Sequence, residues 1–346
     1  MSVDRDFVLG KLINDGFPGS LEMPLPGLFT KIAMTGQSMA LGEVPYVDEV
    51  IPASVFAIHA HAVPGRRVVV EFTNVTERKN AEKQVAEKHE ALTKALHDLW
   101  GEMDLARKIQ TVLLPSEPLI AGYEVSAEMR PASTVGGDYF DVFEAGGAAW
   151  LLVGDVSGHG VSAGLIMMMA QTAVRTAISG LANGEAPSPS KVLAQVNAAI
   201  RGNVAKIGKD QYMTISALCL RDGVVRHAGL HQDMLVYRAA TGKVDSFETN
   251  GVWLGVVDDA APLLSDAAFE IAEGDVLLAF SDGIVEAKID GTIWGQANLA
   301  ALFSELASKQ LPTSEIVKVI LDKVASEDQR DDQTLLVARR KGKKAE

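Results

Sequence analysis

From Glu77 to Leu114 the chain contains no proline and a single glycine, Gly101, and most of the other residues are good helix formers carrying dense charge. A stretch of that kind predicts one long helix, so the protein must be organised on either side of a rod. Pro115 and Pro118 set its end, because proline can neither donate into an α-helical ladder nor fit inside one. Val85, Leu92, Leu96, Leu99, Met103, Ala106 and Leu113 follow an alternating three-four register, broken by the polar residues Glu82, His89 and Gln110. This pattern suits a two-stranded parallel coiled coil, and with it a homodimer formed through the linker helix at residues 77–114. The alternative is an amphipathic helix packed on its own domain.

Upstream, residues 1–76 read as a small α+β segment. A short helix is expected around Leu28 to Met34, followed by strands Val55 to Val63 and Arg66 to Val75 joined by Pro64-Gly65. The inward face is expected through Val55 and Ala57, then Val68, Val70 and Phe72. The run from Val69 to Lys79 resembles the last strand and exit motif of PAS sensor domains, which implies a sensor segment, partial because only the C-terminal half of such a domain is matched. His59 and His61 share one strand face. Without a third ligand they read as ordinary strand histidines.

Downstream, residues 115–341 mix strands and helices without regular βαβ alternation. Strands are expected at Ala149 to Asp155, Gln211 to Leu220, Val224 to His227, Met234 to Arg238, Asp275 to Ser281 and Thr334 to Arg339, and helices at Ser162 to Ser179, Lys191 to Val204 and Ser314 to Ala325. The fold class is therefore α+β layers. The net charge of −13 opposes non-specific binding to nucleic acid, itself a polyanion. The single cysteine, Cys219, excludes an intrachain disulfide framework and reads as core packing in a reducing, cytoplasmic setting. No apolar stretch of about 18 residues is evident, and Asp4 and Asp6 stand where a signal peptide would be basic. Neither membrane insertion nor secretion is expected.

Four acidic motifs each place an aspartate where a strand gives way to a turn: Gly136-Gly137-Asp138-Tyr139-Phe140-Asp141, Gly154-Asp155-Val156-Ser157-Gly158-His159-Gly160, Phe280-Ser281-Asp282-Gly283 and Arg330-Asp331-Asp332-Gln333-Thr334. Taken singly, each is an ordinary turn signal. Carboxylates gathered at strand ends, with few histidines and no second cysteine, describe a hard oxygen site for Mg²⁺ or Mn²⁺ rather than zinc.

In this order and spacing, together with Leu113-Leu114-Pro115, Arg130-Pro131-Ala132 and the Gly251 to Gly255 segment, the motifs resemble the PPM phosphatases, most closely the bacterial SpoIIE and RsbU branch. The resemblance spans about residues 103–340. It implies a PP2C-like β-sandwich flanked by helices, with two metal ions at one end. Asp138 and Asp155 would lie between the ions, the carbonyl of Val156 would add a ligand, and Asp282 and Asp331 would complete the ligand set of the second ion, with Asp332 beside them as the fallback for Asp331. It further implies hydrolysis of phosphoserine or phosphothreonine on a regulatory protein, an anti-sigma-factor antagonist of the STAS type, by a hydroxide that the two cations share. His159 could protonate the leaving oxygen, or be a structural turn residue. Arg130 could orient phosphate, or balance nearby acids. The segment Ala228-Gly229-Leu230-His231-Gln232-Asp233 departs from the Ala-Gly-His-Asn-Pro-Pro-like loop of many relatives, which leaves substrate contacts there open. Two rivals are a non-catalytic scaffold of the same fold and a nucleotide cyclase suggested by the GGDEF-like Gly136-Gly137-Asp138-Tyr139-Phe140; in the latter, Tyr139 replaces a required acid.

Overall fold

The computed structural model describes residues 9–16, 23–47, 51–115, 119–180, 188–207, 211–326 and 329–342. Asp4, Asp6 and Pro118 lie outside them. The chain divides into two compact units, Met1–Leu99 and Trp100–Glu346.

In the first unit a one-turn helix, α1 (Ile13–Gly16), precedes α2 (Leu25–Thr35) and an antiparallel meander of β1 (Met39–Tyr46), β2 (Ser54–Val63) and β3 (Arg67–Asn74). Gly36 ends α2 in the left-handed region, its N–H bonded to Ile32 O. Leu25, Phe29 and Ile32, spaced for one helix face, pack on Ile58 and Ala60. The expected phase of β2 is thus corrected. Phe56, Ile58, Ala60 and Ala62 face the core rather than Val55 and Ala57, because α2 covers that side of the sheet. Phe72 is largely exposed, and His59 and His61 point to the outer face.

The long helix α3 (Thr76–Leu113) forms as its composition dictates. Val85, Leu92, Leu96, Leu99 and Trp100 are exposed along it.

The second unit stacks two five-stranded antiparallel sheets between two pairs of helices. One sheet has the order β10-β9-β12-β15-β4 and the other β11-β8-β7-β6-β5. Their strands are β4 (Tyr123–Arg130), β5 (Tyr139–Ala145), β6 (Ala148–Val156), β7 (Met213–Arg221), β8 (Val224–Ala228), β9 (Met234–Arg238), β10 (Lys243–Phe247), β11 (Ala267–Glu270), β12 (Val276–Phe280) and β15 (Gln333–Arg340); a two-residue hairpin, β13 (Lys288–Ile289) and β14 (Thr292–Ile293), stands apart. Strand β6 shows why the central strands read as continuous apolar runs. Trp150 and Leu152 face the helices α4 (Val161–Ser179) and α5 (Pro189–Ile207), while Leu151 and Val153 face the opposite sheet, so both phases of the period-two repeat are buried. A one-turn helix, α6 (Asp282–Val285), follows β12, and on the other side α7 (Gln296–Ser308) and α8 (Thr313–Val324) cover Leu278, Phe280, Leu335 and Val337.

By length and composition α4 passes as a membrane-spanning helix, against expectation. Its residues Ala163, Ile166, Met167, Ala170, Val174 and Ile178 nevertheless pack into the core against the sheet. The β7–β8 hairpin turns at Asp222 (φ 52°) and Gly223 (φ 81°), as its Arg-Asp-Gly sequence predicts.

Leu151 lies between the sheets and is 1% exposed. Leu151→Ala is expected to cost about 2–5 kcal/mol in unfolding free energy by urea titration; a loss below about 1 kcal/mol would show that this layer is loosely packed.

Candidate functional site

Strand register brings the acidic motifs together. In the β5–β6 ladder Tyr139 pairs with Gly154, so one further step sets Asp138 opposite Asp155. In the β12–β15 ladder Phe280 pairs with Leu335 and Ser281 N–H donates to Thr334 O, which delivers Asp282 and the Asp331-Asp332 pair to the same end of the other sheet. The two ladders are joined across the sandwich by Thr334 Oγ1, which donates to Asp138 Oδ2 at 2.5 Å. Thr334 N–H in turn donates to Ser281 Oγ at 2.9 Å. Ser281 and Thr334 lie within the third and fourth motifs, yet nothing in the sequence marks either hydroxyl for this role.

Removal from water, then mutual repulsion, sets the titration of these carboxyls. Asp138 is fully buried and held well above the usual carboxylate range, first by desolvation and then by Asp155 and Asp332. Asp155 is pushed up to about 8 by desolvation and by the charges of Asp282, Asp331 and Asp332, while a hydrogen bond with Asp138 opposes the shift. Desolvation also raises Asp282. Asp331, at the exposed rim, is pushed up to about 6 by desolvation and the neighbouring Asp282.

Asp138 Oδ1 and Asp282 Oδ1 are buried without a hydrogen-bond partner among the described residues. Two orphaned acceptors among carboxylates that repel one another are a demand for positive charge. Glycine Gly137 adds space at the same point: a Cβ there would stand 2.6 Å from Val156 O and 3.2 Å from both Asp155 Oδ1 and Gly158 O. Its role is room for oxygens, since neither Gly136 nor Gly137 has positive φ. Among the described residues no three acidic, histidine or cysteine side chains stand in a ready coordination shell. The orphaned oxygens, the open cradle and the all-oxygen donor set nonetheless fit hard divalent cations.

Asp331 and Asp332 have different tasks. Asp332 is buried, with Oδ1 accepting from Ala132 N–H at 2.7 Å and Oδ2 from Gly137 N–H at 2.6 Å and Asp138 N–H at 3.3 Å. Its lone pairs are spent on the loop that carries Asp138. Among the described residues Asp331 Oδ1 accepts a local bond, from Asp332 N–H at 2.9 Å, which leaves this carboxyl the freer of the two.

His159 is exposed in a turn whose flanking glycines Gly158 and Gly160 have φ of 85° and 87°. Arg130 pairs with Glu128 and Asp322, both at 2.9 Å, and so balances acids other than the cluster. The divergent segment is anchored by His231 Nδ1 and Thr214 Oγ1 at 2.9 Å, beside Asp155 in the β6–β7 ladder. Asp141, in the first motif, is a structural acid, receiving Tyr139 Oη at 3.1 Å and Arg175 Nε at 2.7 Å. Tyr139 is wholly buried where a cyclase signature needs an acid, which removes that rival. Cys219 is buried, with its thiol pushed up to about 11 by desolvation, as suits a core residue rather than a nucleophile.

The profile of the family described as Stage II sporulation protein E (SpoIIE) matches residues 145–341, more than half of the chain. The phosphoserine phosphatase RsbU of Bacillus subtilis (strain 168) is 26% identical over 265 residues, which cover 74% of this chain and 75% of RsbU. Among solved structures, the SiaA-PP2C domain of Pseudomonas aeruginosa is similar with a TM-score of 0.59 at 21% identity, covering 71% of this chain and 98% of that one. The RsbU and RsbW domains of Rv1364c from Mycobacterium tuberculosis give a TM-score of 0.53 at 25% identity, covering 66% of this chain and 62% of that one. These likenesses establish the PP2C fold. The profile begins beyond Asp138, whose place therefore rests on the strand register.

In chelator-treated protein, folded Asp155 keeps its proton up to about pH 8, whereas in the unfolded chain it ionises near its ordinary value of 3.8. Its contribution to stability is therefore fully present below about pH 4 and is lost as the pH rises towards 8. The melting temperature is expected to fall between pH 5 and 8.5, and Asp155→Asn to flatten that fall; equal slopes for parent and variant would contradict the assigned shift.

Proposed function

The chain belongs to the SpoIIE family and is a protein serine/threonine phosphatase, and from that premise we propose that its aspartate cluster is a two-cation centre for hydrolysing phosphoserine or phosphothreonine on a regulatory protein. The observation that carries this reading is the convergence, by register, of Asp138 and Asp155 with Asp282 and Asp331, two of them with orphaned buried oxygens.

Asp138, Asp155, Asp282, Asp331 and the carbonyl of Val156 would hold the cations, Mn²⁺ or Mg²⁺. Bound there, such cations supply Lewis acidity that makes hydroxide available near neutral pH and offsets charge on the phosphoryl oxygens. The protein's own contribution is preorganisation. Thr334 and Ser281 fix Asp138, Asp332 fixes the loop before it, and Gly137 keeps the space before Asp155 and Val156 clear. His159, exposed in the turn after Val156, is suited to protonate the leaving serine or threonine oxygen. With a buried, high-pKa Cys219, nothing in this reading calls for a covalent phosphoenzyme.

For substrate, the reading favours a phosphorylated antagonist of an anti-sigma factor, of the STAS type, acting in partner switching in the cytoplasm. It is supported by the likeness to RsbU and to a solved protein that combines RsbU and RsbW domains. Residues 1–76 would be a PAS-like sensor segment, 77–114 a linker and 115–341 the phosphatase domain. The exposed register Val85, Leu92, Leu96 and Leu99 supports a homodimer through α3. Replacing Leu92 and Leu96 together by Glu is expected to halve the mass measured by light scattering; a monomeric parent would end the coiled-coil reading.

Asp155→Ala and Asp282→Ala are expected to lower turnover of a phosphoserine protein with Mn²⁺ by at least about 10³-fold, since each removes a cation ligand. Circular dichroism should remain that of the parent. Turnover near the parent's in either variant would sink the assignment.

A further inference from the structure

Gln110 is a polar interruption in the apolar register of the long helix, and it lies in the last turn of α3, 3% exposed. Its side chain does not cap its own helix. Nε2 donates to Gly136 O at 2.9 Å, and Oε1 accepts from Gly136 N–H at 3.1 Å. A glutamine amide carries a donor and an acceptor side by side, as a peptide group does, so one side chain satisfies both polar groups of one buried residue. Gly136 is two residues before Asp138.

The neighbouring backbone is held as completely from other directions. Gly160 N–H donates to Val135 O and Val156 N–H to Gly137 O, both at 3.2 Å, while Asp332 receives the N–H groups of Gly137 and Asp138. Asp332 also fills the space that a side chain at Gly136 would need. The loop is thus clamped between a carboxylate from β15's approach and an amide from α3. Within the loop itself Ser133 Oγ donates to Val135 O at 2.7 Å, but the glycines at 136 and 137, with wide conformational freedom, depend on these outside partners.

We infer that Gln110 is a positioning residue for Asp138, holding the Gly136-Gly137 peptide so that the carboxyl faces Asp155 and Thr334, and thereby sets the affinity for divalent cations. The inference rests on the reading of Asp138 as a cation ligand. A purely structural staple, fastening the helix end to the sandwich, would leave that affinity unchanged in the folded protein.

The full-length chain, chelator-treated and then titrated with Mn²⁺ by calorimetry at a temperature where circular dichroism shows every variant folded, separates the two. Gln110→Met keeps the volume and loses both hydrogen bonds; Gln110→Ala also opens space. Both are expected to weaken Mn²⁺ binding by about 10- to 100-fold, the range for residues that orient a metal ligand. The Mn²⁺ concentration for half-maximal hydrolysis of a phosphoserine peptide should rise in parallel, with kcat at saturating Mn²⁺ within about threefold of the parent, the split expected of a positioning residue. Parent-like Mn²⁺ affinity in both folded variants, even with lowered melting temperatures, would overturn the inference while leaving the cation centre standing. Absence of Mn²⁺ binding by the parent would overturn the centre itself, and this inference with it.

Discussion

Asp138, Asp155 and Asp282, with Asp331 at the exposed rim beside them, are brought into one another's fields where burial weakens solvation, and the rest of the second unit is arranged to keep them there. Left to themselves, such carboxyls would separate or hold their protons, and Asp155, pushed up to about 8, does the second. Separation is prevented by the sandwich. Two antiparallel ladders fix the strand ends, and Thr334 ties one ladder to the other through Asp138. The cores on both faces of each sheet, built on residues such as Trp150 and Phe280, make those ladders stiff enough to hold the repulsion.

Carboxyls that must keep their protons to stay this close suit a place where positive charge will enter and displace those protons. Partnerless oxygens on Asp138 and Asp282 mark where relief is wanted, and the absence of a side chain at Gly137 leaves room for it. The surrounding neutral groups, the Thr334 hydroxyl held in place by Ser281 Oγ and the backbone N–H groups spent on Asp332, set direction without supplying charge of their own.

Much of this was legible before the fold was known, and the reasons it was or was not are physical. The long helix and the central strands carry strong local signals, absence of proline and runs apolar on both faces, whereas the four acidic motifs, three of them with an adjacent glycine, speak only in combination. The phase of β2 was misread because Val55-Phe56-Ala57-Ile58 is apolar in both phases, and only the position of α2 decides which side is covered. Strands β4, β10 and β11 went unread because they lie at sheet edges or mix polar with apolar residues, so tertiary pairing rather than propensity makes them strands. The choice between Asp331 and Asp332 could not be settled by spacing. What distinguishes the two side chains is three backbone N–H groups nearly 200 residues away in sequence, all bonded to Asp332. Gln110 was visible only as a defect in a heptad; its partner, Gly136, is a long-range contact that no periodicity encodes.

The most direct test of the cation centre is the proton count on metal binding. If carboxyls near Asp138 and Asp155 retain protons at neutral pH, cations must displace them. Calorimetric titration of the chelator-treated chain with Mn²⁺ at pH 7, repeated in buffers of different ionisation enthalpy, is predicted to show binding coupled to proton release, with the released fraction reduced in Asp155→Asn. Binding without proton release, or release unchanged in that variant, would contradict the account.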